Sequence, residues 1–319
     1  MRNLKPEIFM MNKDQLSFRP VSEALIPLLK QYWIHYFSDN DPSAIEYYFQ
    51  HQFKPEKSYV LMLGDELIGS ATLEPYLMEL HGKVLKTTLI VGIFVVEQHR
   101  GQGYMTFMLE TLIDYLADKE ILTCIQEAVV GLYDRYGFED VYPQQIWEIK
   151  RYMIPPMGSE GIRYLLDPQD CLELYEHFTR YFTGYFKRDI KYYEDLRKEV
   201  HLTKKQMISY YSQNQLMATG LVVFDQEVGY VSELLYRDSH SLLMVLNYFL
   251  SMVPTLKVHT SKVEDLSKII EEASPTNANW MKVRLNDRES FNRLYKVNIL
   301  SAKSAMNAFG KPLFNTQES

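Results

Sequence analysis

The chain has 319 residues, 46% of them hydrophobic and 24% charged, and a formal net charge of −7. That length suits two domains better than one, and the apolar content excludes a largely disordered chain. The acidic balance argues against nucleic acid as a partner, because proteins that bind it concentrate positive charge. It suits a small cationic substrate such as an amine. Cys124 and Cys171 are the two cysteines, and they form no CxxC pair. Neither a disulfide framework nor a metal site is expected, and a reducing, cytoplasmic compartment fits. Residues 1–15 lack the apolar core of a signal peptide. No stretch reaches the ~18 apolar residues of a membrane span, so no membrane partner is expected.

Leu16–Val21 reads as a short strand. From Ser22 a helical pattern places Leu25, Leu28, Leu29, Tyr32 and Trp33 on one face. Ser43–Phe53 reads as a second helix after Asp41-Pro42. Ser58–Leu63 and Leu67–Met78 form a hairpin around Gly64-Asp65-Glu66, with Pro75 marking a bulge or an edge. Lys86–Val96 (KTTLIVGIFVV) is rich in β-branched residues and reads as a central strand buried on both faces. Gly103–Ala117 has helical spacing through Met105, Met108, Leu109, Leu112, Ile113 and Leu116. Ile121–Ile125 is a short strand, Val129–Tyr136 a short helix closed by Gly137, and Phe138–Ile149 a strand. Arg151–Glu160, with Pro-Pro and Gly-Ser, reads as a linker.

A second set of elements follows. Gln169–Lys187 and Asp189–Glu199 read as helices, Gln206–Tyr211 and Met217–Phe224 as a hairpin, Val228–Tyr236 as a strand and Ser241–Met252 as a helix. The order mirrors the first half and suggests a degenerate structural repeat. Ser301–Ser319 reads as a loose tail or one docked on a neighbour.

The chemistry concentrates where the central strand ends: Phe94, Val95, Val96, then Glu97-Gln98-His99, then Arg100, Gly101, Gln102, Gly103, Tyr104 and Met105. A buried strand, a glycine loop and a helix start make an anion site. The first helical N–H groups have no intrahelical partner, the helix dipole adds positive potential, and glycine lets the backbone approach a phosphate. Arg100 adds a permanent cation. The spacing is not GxGxxG, and a hairpin precedes the strand, which disfavours a dinucleotide fold.

Arg100-Gly101-Gln102-Gly103 resembles the RxxGxG/A acetyl-CoA loop of the GNAT (Gcn5-related) N-acetyltransferases. About 30 residues on, Tyr133-Asp134-Arg135-Tyr136-Gly137-Phe138 resembles that family's Y-x-x-x-G-F segment. The closer resemblance is to the Eis-like tandem branch, through the bulky Met105 and through Trp280–Asp287, which resembles that branch's junction into a third, sterol-carrier-like domain. The 319 residues are too few to hold that domain in full. Glu97 stands where the family commonly has proline, and Ala128 or its neighbours where it often has serine.

The resemblance implies an α/β (α+β) fold of two tandem GNAT-like domains, each a mixed, mostly antiparallel sheet flanked by helices. Residues 1–152 would be the acetyl-CoA-binding catalytic domain, 160–290 a degenerate second domain and 291–319 a C-terminal tail. It implies acetyl-CoA as co-substrate, no metal, and direct attack by a primary amine of an aminoglycoside- or polyamine-like substrate. The amides of 101–105 with Arg100 would bind the pyrophosphate, amides near Phe94–Val96 would polarise the thioester carbonyl, and Tyr133 would reprotonate the departing thiolate. Glu74, Glu79, His81, Glu97 and His99 are the available base residues, and the pattern selects none of them. The second half, whose Tyr236–His240 has no glycine loop, would be cofactor-free, walling the cleft and offering homo-oligomer contacts. Its aromatic run Tyr175–Tyr193 reads either as an amphipathic helix packed on a sheet or as a cleft lining whose ring faces attract a cation. Two alternatives remain at this level: a non-catalytic acyl-CoA-binding module and a tRNA-dependent aminoacyl transferase.

Overall fold

The computed structural model describes residues 9–10, 15–38, 42–126, 131–164, 166–279 and 281–317. Its first half contains β1 (Phe9–Met10), β2 (Leu16–Pro20), α1 (Ile26–Phe37), α2 (Ser43–His51), β3 (Ser58–Leu63), β4 (Glu66–Leu80), β5 (Lys83–Val95), α3 (Tyr104–Ala117), β6 (Leu122–Ile125) and β7 (Phe138–Asp140). Then come β8 (Pro143–Lys150), β9 (Ile162–Arg163), α4 (Pro168–Thr179), β10 (Tyr185–Phe186), α5 (Ile190–Leu202), β11 (Lys205–Ser212), β12 (Gln215–Asp225) and β13 (Val228–Tyr236). The remainder is α6 (Ser239–Met252), β14 (Thr255–Ser261), β15 (Ser274–Asn279), β16 (Lys282–Leu285), α7 (Arg288–Tyr295) and α8 (Ala302–Met306).

Two sheets result. The first runs β1-β2-β3-β4-β5-β6-β16-β7, with β10 added beside β4, and the second runs β15-β8-β14-β13-β12-β11-β9. All pairs are antiparallel except two: β5 is parallel to β6, and β13 to β14. A parallel pair needs a crossover, and α3 and α6 supply it. The apolar stripe of α3, from Tyr104 through Met108, Leu112 and Leu116, is buried against the first sheet. Each sheet also carries a register shift next to its parallel pair, Thr72/Ser70 facing Val91/Phe94 and Val222/Leu221 facing Val231/Glu233. The fold is therefore the expected α/β class with two mostly antiparallel sheets.

The sheets do not follow the predicted segments of the chain. Phe138–Ile149 is two strands, broken at Val141-Tyr142. β7 stays in the first sheet, whereas β8 crosses to the second and pairs with β14 and β15. In return β16, read as part of the second unit, lies between β6 and β7 of the first. Burial explains the exchange: Trp147 and Ile149 of β8 enter the second core, and Val283 of β16 enters the first. A boundary at residue 152 thus falls after a strand of the other sheet.

Three other segments differ from their sequence reading. The helix expected over Gln169–Lys187 ends at Thr179, and Tyr185–Phe186 pair with Glu79 and Met78 of β4. The linker is tied down, with Ile154 buried and the Arg151 side chain donating to the Leu250 carbonyl. The tail is docked on its own chain: Ala305 and Met306 join the first core, and Phe314 packs on Phe178 and Phe182 at 5.2 and 5.1 Å. Pro75 lies opposite Thr88 of β5, and on its other side β4 passes from its last pair with β3 at Thr72 to its first with β10 at Met78. The missing N–H falls in that gap.

Beside the second sheet the Tyr236 hydroxyl donates to the half-buried Glu264 carboxylate at 3.0 Å. Burial pushes the Glu264 carboxyl up from 4.5 to about 7, against the opposing hydrogen bonds from Ser261 and Tyr236. The folded protein thus holds this proton more tightly than the unfolded chain, and stability falls as pH rises from about 4.5 to about 7. Glu264→Gln should remove that loss. Urea denaturation at pH 5 and pH 8 should show the wild type losing about 3 kcal/mol more than the variant across the interval.

Candidate functional site

The site begins where β5 and β6 part. Thr87–Ile90 pair in parallel register with Leu122–Ile125, while β5 runs on to Val95 past the end of β6. A bulge reorients β5 at that point, since Thr72 faces Val91 but Ser70 faces Phe94. Gly92 sits in the bulge with φ +57°, and a β-carbon there would fall 1.9 Å from Cζ2 of Trp33. Both the backbone and the neighbour demand glycine. The Ser70 hydroxyl donates to the Gly92 carbonyl at 2.9 Å and holds the bulge. Trp33 stacks on Tyr48 with ring centroids 5.1 Å apart. The Tyr48 hydroxyl donates to Glu74 at 2.8 Å, and Lys57 Nζ binds the other Glu74 oxygen at 2.9 Å.

Phe94, Val95 and Val96 are all buried. The Val96 N–H already donates to the Ile68 carbonyl at 2.9 Å. Ladder alternation then turns the Phe94 N–H toward β4 and the Val95 N–H toward the parted edge. Of the three amides expected to polarise a carbonyl, Val95 alone faces the opening.

Beyond Val96, Glu97–His99 form one 3₁₀ turn and the loop reaches α3. Gly101 and Gly103 have φ +75° and +86°, and nothing lies within 4 Å of either missing β-carbon. Gly103 is the N-cap of α3 and brings no side chain to the first-turn N–H groups. By contrast α4, α5, α6, α7 and α8 are capped by Asp167, Asp189, Asp238, Asp287 and Ser301. The start of α3 thus leaves its amides and its dipole to an anion. Arg100 folds back, donating through Nε to the Val95 carbonyl at 3.0 Å and lying 5.4 Å from the Tyr36 ring centre. Its cation stays at the loop. Gln102 bonds the Gln98 carbonyl, Tyr104 is buried against His99, and Met105 packs on the first core. These three therefore offer backbone rather than side chains.

Tyr133 is 3% exposed, with its ring edge-on to Phe138 at 6.2 Å. Of the short helix expected from Val129, Val129 lies outside the described residues, as does Ala128, and the described part is a 3₁₀ turn over Asp134–Tyr136. Tyr136 is half-buried against the first core, and its hydroxyl bonds Thr106 Oγ1 at 2.8 Å in the first turn of α3. This bond sets the Tyr133 segment beside the glycine loop.

The remaining base residues separate by position. Glu79 and His81 lie at the β4–β5 turn, about 30 Å of strand from the bulge. Glu79 accepts the Gly82 N–H, and burial holds the His81 imidazole below its usual range. His99 pairs with Glu66 at 3.1 Å, and Glu97 is exposed. Glu74, opposite Leu89 on β5, is the nearest of the five along the ladder. Burial raises the Cys124 thiol to about 12, which removes it as a nucleophile. Among the described residues no three His, Cys, Asp or Glu side chains gather as metal ligands would, and no helix is long and apolar enough to cross a membrane.

The aromatic run of the second half does hold a cation, but the protein's own. Arg188 lies 4.3 Å from the ring centres of both Tyr175 and Tyr192, and its two terminal nitrogens bind Glu233 at 2.9 and 2.6 Å. Sequence reasoning missed this pair, and also Lys282 and Arg284 of β16, which reach Asp134 and the Tyr136 carbonyl at 2.8 and 3.0 Å. Local pattern carries no signal for partners 148 positions away. Gly92 inside a strand was the one visible cue to the bulge.

Residues 17–141 match the family model of the acetyltransferase (GNAT) domain. The parted strands, the bulge and the open helix start lie on that same stretch. Solved structures of similar fold include an Enterococcus faecalis protein described as a probable N-acyltransferase (TM-score 0.71, 16% identity, covering 86% of this chain and 74% of that one). A GCN5-related N-acetyltransferase from Anabaena variabilis gives TM-score 0.71 at 14% identity, over 86% and 73%. Eis1 from Mycobacterium abscessus gives 0.63 at 15%, over 86% and 75%. The likeness is one of fold and spans both sheets. No curated protein matches the chain in sequence.

Gly92→Ala must displace the Trp33 ring and adopt a left-handed backbone. Left-handed strain and overpacking together should cost about 2–4 kcal/mol of stability in urea denaturation. Gly101→Ala, with strain but open space, should cost about 1–2 kcal/mol.

Proposed function

We propose that this protein transfers the acetyl group of acetyl-CoA to a primary amine of a small cationic substrate, aminoglycoside- or polyamine-like, by direct attack. One observation carries the reading: a helix start with no side-chain cap, lined by two open glycines, lies at the end of a strand that has parted from its parallel neighbour. Amides 101–105 and Arg100 take the pyrophosphate, and the pantetheine lies along the exposed edge of β5. The Val95 N–H supplies a donor for the oxyanion.

The neutral amine nitrogen attacks the thioester carbon. A carbon–nitrogen bond forms, the carbon–sulfur bond breaks, the amine gives up one proton to solvent, the thiolate takes one from the Tyr133 hydroxyl, and solvent returns a proton to the Tyr133 phenolate. The Tyr136–Thr106 bond, which ties the segment bearing this buried phenol to the first turn of α3, supports that role. Trp33, Tyr48 and Glu74 line the approach on the other side of the bulge. The net charge of −7 favours a cationic acceptor.

Release of free CoA thiol, followed with aminoglycosides, polyamines and peptide amines, tests the proposal. Turnover is expected with at least one amine. Gly103→Glu should abolish acetyl-CoA binding by putting a carboxylate at the phosphate position. Tyr133→Phe should keep binding and lower kcat about a hundredfold. Calorimetric binding of acetyl-CoA without turnover would point to the acyl-CoA-binding module. No binding would overturn the assignment and favour the tRNA-dependent transferase.

A further inference from the structure

The first sheet borrows one strand from the far end of the chain, and that strand holds the turn bearing Tyr133. β16 lies between β6 and β7, with Lys282 opposite Ile125, the last residue of β6, and opposite Asp140, the last of β7. Lys282 therefore sits at the level where β5 and β6 separate. Its side chain is 2% exposed, and Nζ binds Asp134 Oδ1 at 2.8 Å and Asp140 Oδ2 at 2.9 Å. Asp134 is the residue after Tyr133 and opens the 3₁₀ turn. Two residues along β16, on the same face, Arg284 donates through Nε to the Tyr136 carbonyl at 3.0 Å. The turn over 133–137 is thus gripped from the borrowed strand at one side chain and one carbonyl.

Stability alone is a poor account of Lys282. Desolvating an ammonium costs several kcal/mol, and an apolar side chain of similar volume commonly serves a fold as well or better. Its carboxylate partners are 60% and 42% exposed, so the buried cation gains less from them than from fully enclosed partners. The pair does fix position. Asp134 could otherwise turn to water and let the 3₁₀ turn slide. A proton donor displaced by about 1 Å loses a large part of its effect.

We infer that Lys282 and Arg284, supplied by the second half through β16, are positioning residues that hold Tyr133 in place for proton transfer to the leaving thiolate. The inference rests on the role given to Tyr133 above. It makes the first half incomplete as a catalyst, since its own residues 1–141 contain neither grip.

The test uses the full chain with Lys282→Met, which keeps the volume and removes the charge, and Asp134→Asn, which weakens the same bond from its exposed end without touching the core. Each should lower kcat about tenfold while the KM for acetyl-CoA stays within about twofold. In the Tyr133→Phe background neither should lower kcat further, because residues acting through one group are not additive. Lys282→Arg, which keeps the cation, should recover part of the loss. Independently of turnover, hydrogen–deuterium exchange over 131–137 should rise in both variants while that of β12 and β13 stays as in wild type. Unchanged kcat, or losses that multiply with Tyr133→Phe, would overturn the catalytic part. Unchanged exchange over 131–137 would overturn the positioning itself. If the wild type turns over no amine, the proposed function fails, and the exchange measurement still decides whether β16 holds the turn.

Discussion

The separation of β5 from β6 after Ile90 and Ile125 governs everything at the candidate site. A parallel pair that ends while one strand runs on exposes a row of unpaired backbone groups, ordinarily a hazard in a folded protein. Here the bulge at Gly92 makes the separation structural. An extra residue in β5 breaks the register with β4, and the Trp33 ring occupies the space a side chain would need. The edge amide of Val95, the loop of Arg100–Gly103 and the open start of α3 then follow in sequence along one line. The open start of α3 and the edge amide of Val95, proposed above to take the pyrophosphate and the oxyanion, are therefore set by a single backbone irregularity rather than by side chains.

The second constraint is the exchange of β8 and β16. Each sheet completes itself with a strand from the other half, on the far side of its parallel pair. The first core accordingly includes Met281, Val283, Phe291, Tyr295, Ala305, Met306 and Leu313 together with residues of β2 to β6. Neither half can bury its apolar surface alone, so the two should unfold as one cooperative body. The tail adds further ties, with Ser261 Oγ donating to the Leu313 carbonyl and Gln126 Nε2 to the Gln317 carbonyl, both at 2.9 Å.

What was legible in the sequence was local. The β-branched run of Lys86–Val96, the glycine loop and the stripe of α3 are short-range patterns, and each falls within a few residues of its observed place. The break at Val141-Tyr142 was not legible, because β7 and β8 both read as strand and nothing in a period of two says which sheet a strand joins. Lys282 and Arg284 look like ordinary solvent-facing charges on a short strand. Their partners Asp134, Asp140 and Tyr136 are brought by the fold from about 145 residues away. The aromatic run of the second half read both as a helix packed on a sheet and as a surface that attracts a cation. That its cation is Arg188, from within the same run, depends on Glu233 arriving from β13.

Set against the first half, the second shows how little separates a binding site from its structural copy. β13 and β14 keep the parallel pair, the crossover helix and the register shift. Two features differ. The helix after β13 is capped by Asp238, whose carboxylate accepts the Ser241 N–H at 2.8 Å, so a negative charge already holds the place a phosphate would take. At the register shift stands Glu233 where the first sheet has Phe94, and its carboxylate, with Arg188 and Thr316, forms a buried cluster closed by the tail. A buried charge of this kind must be paired throughout, so the cluster that fills the second cleft also fixes the tail across it. The same backbone geometry is thus open in one half, where glycine and apolar residues leave the strand edge free, and closed in the other, where a cap and an ion pair stand at the corresponding positions and hold the tail.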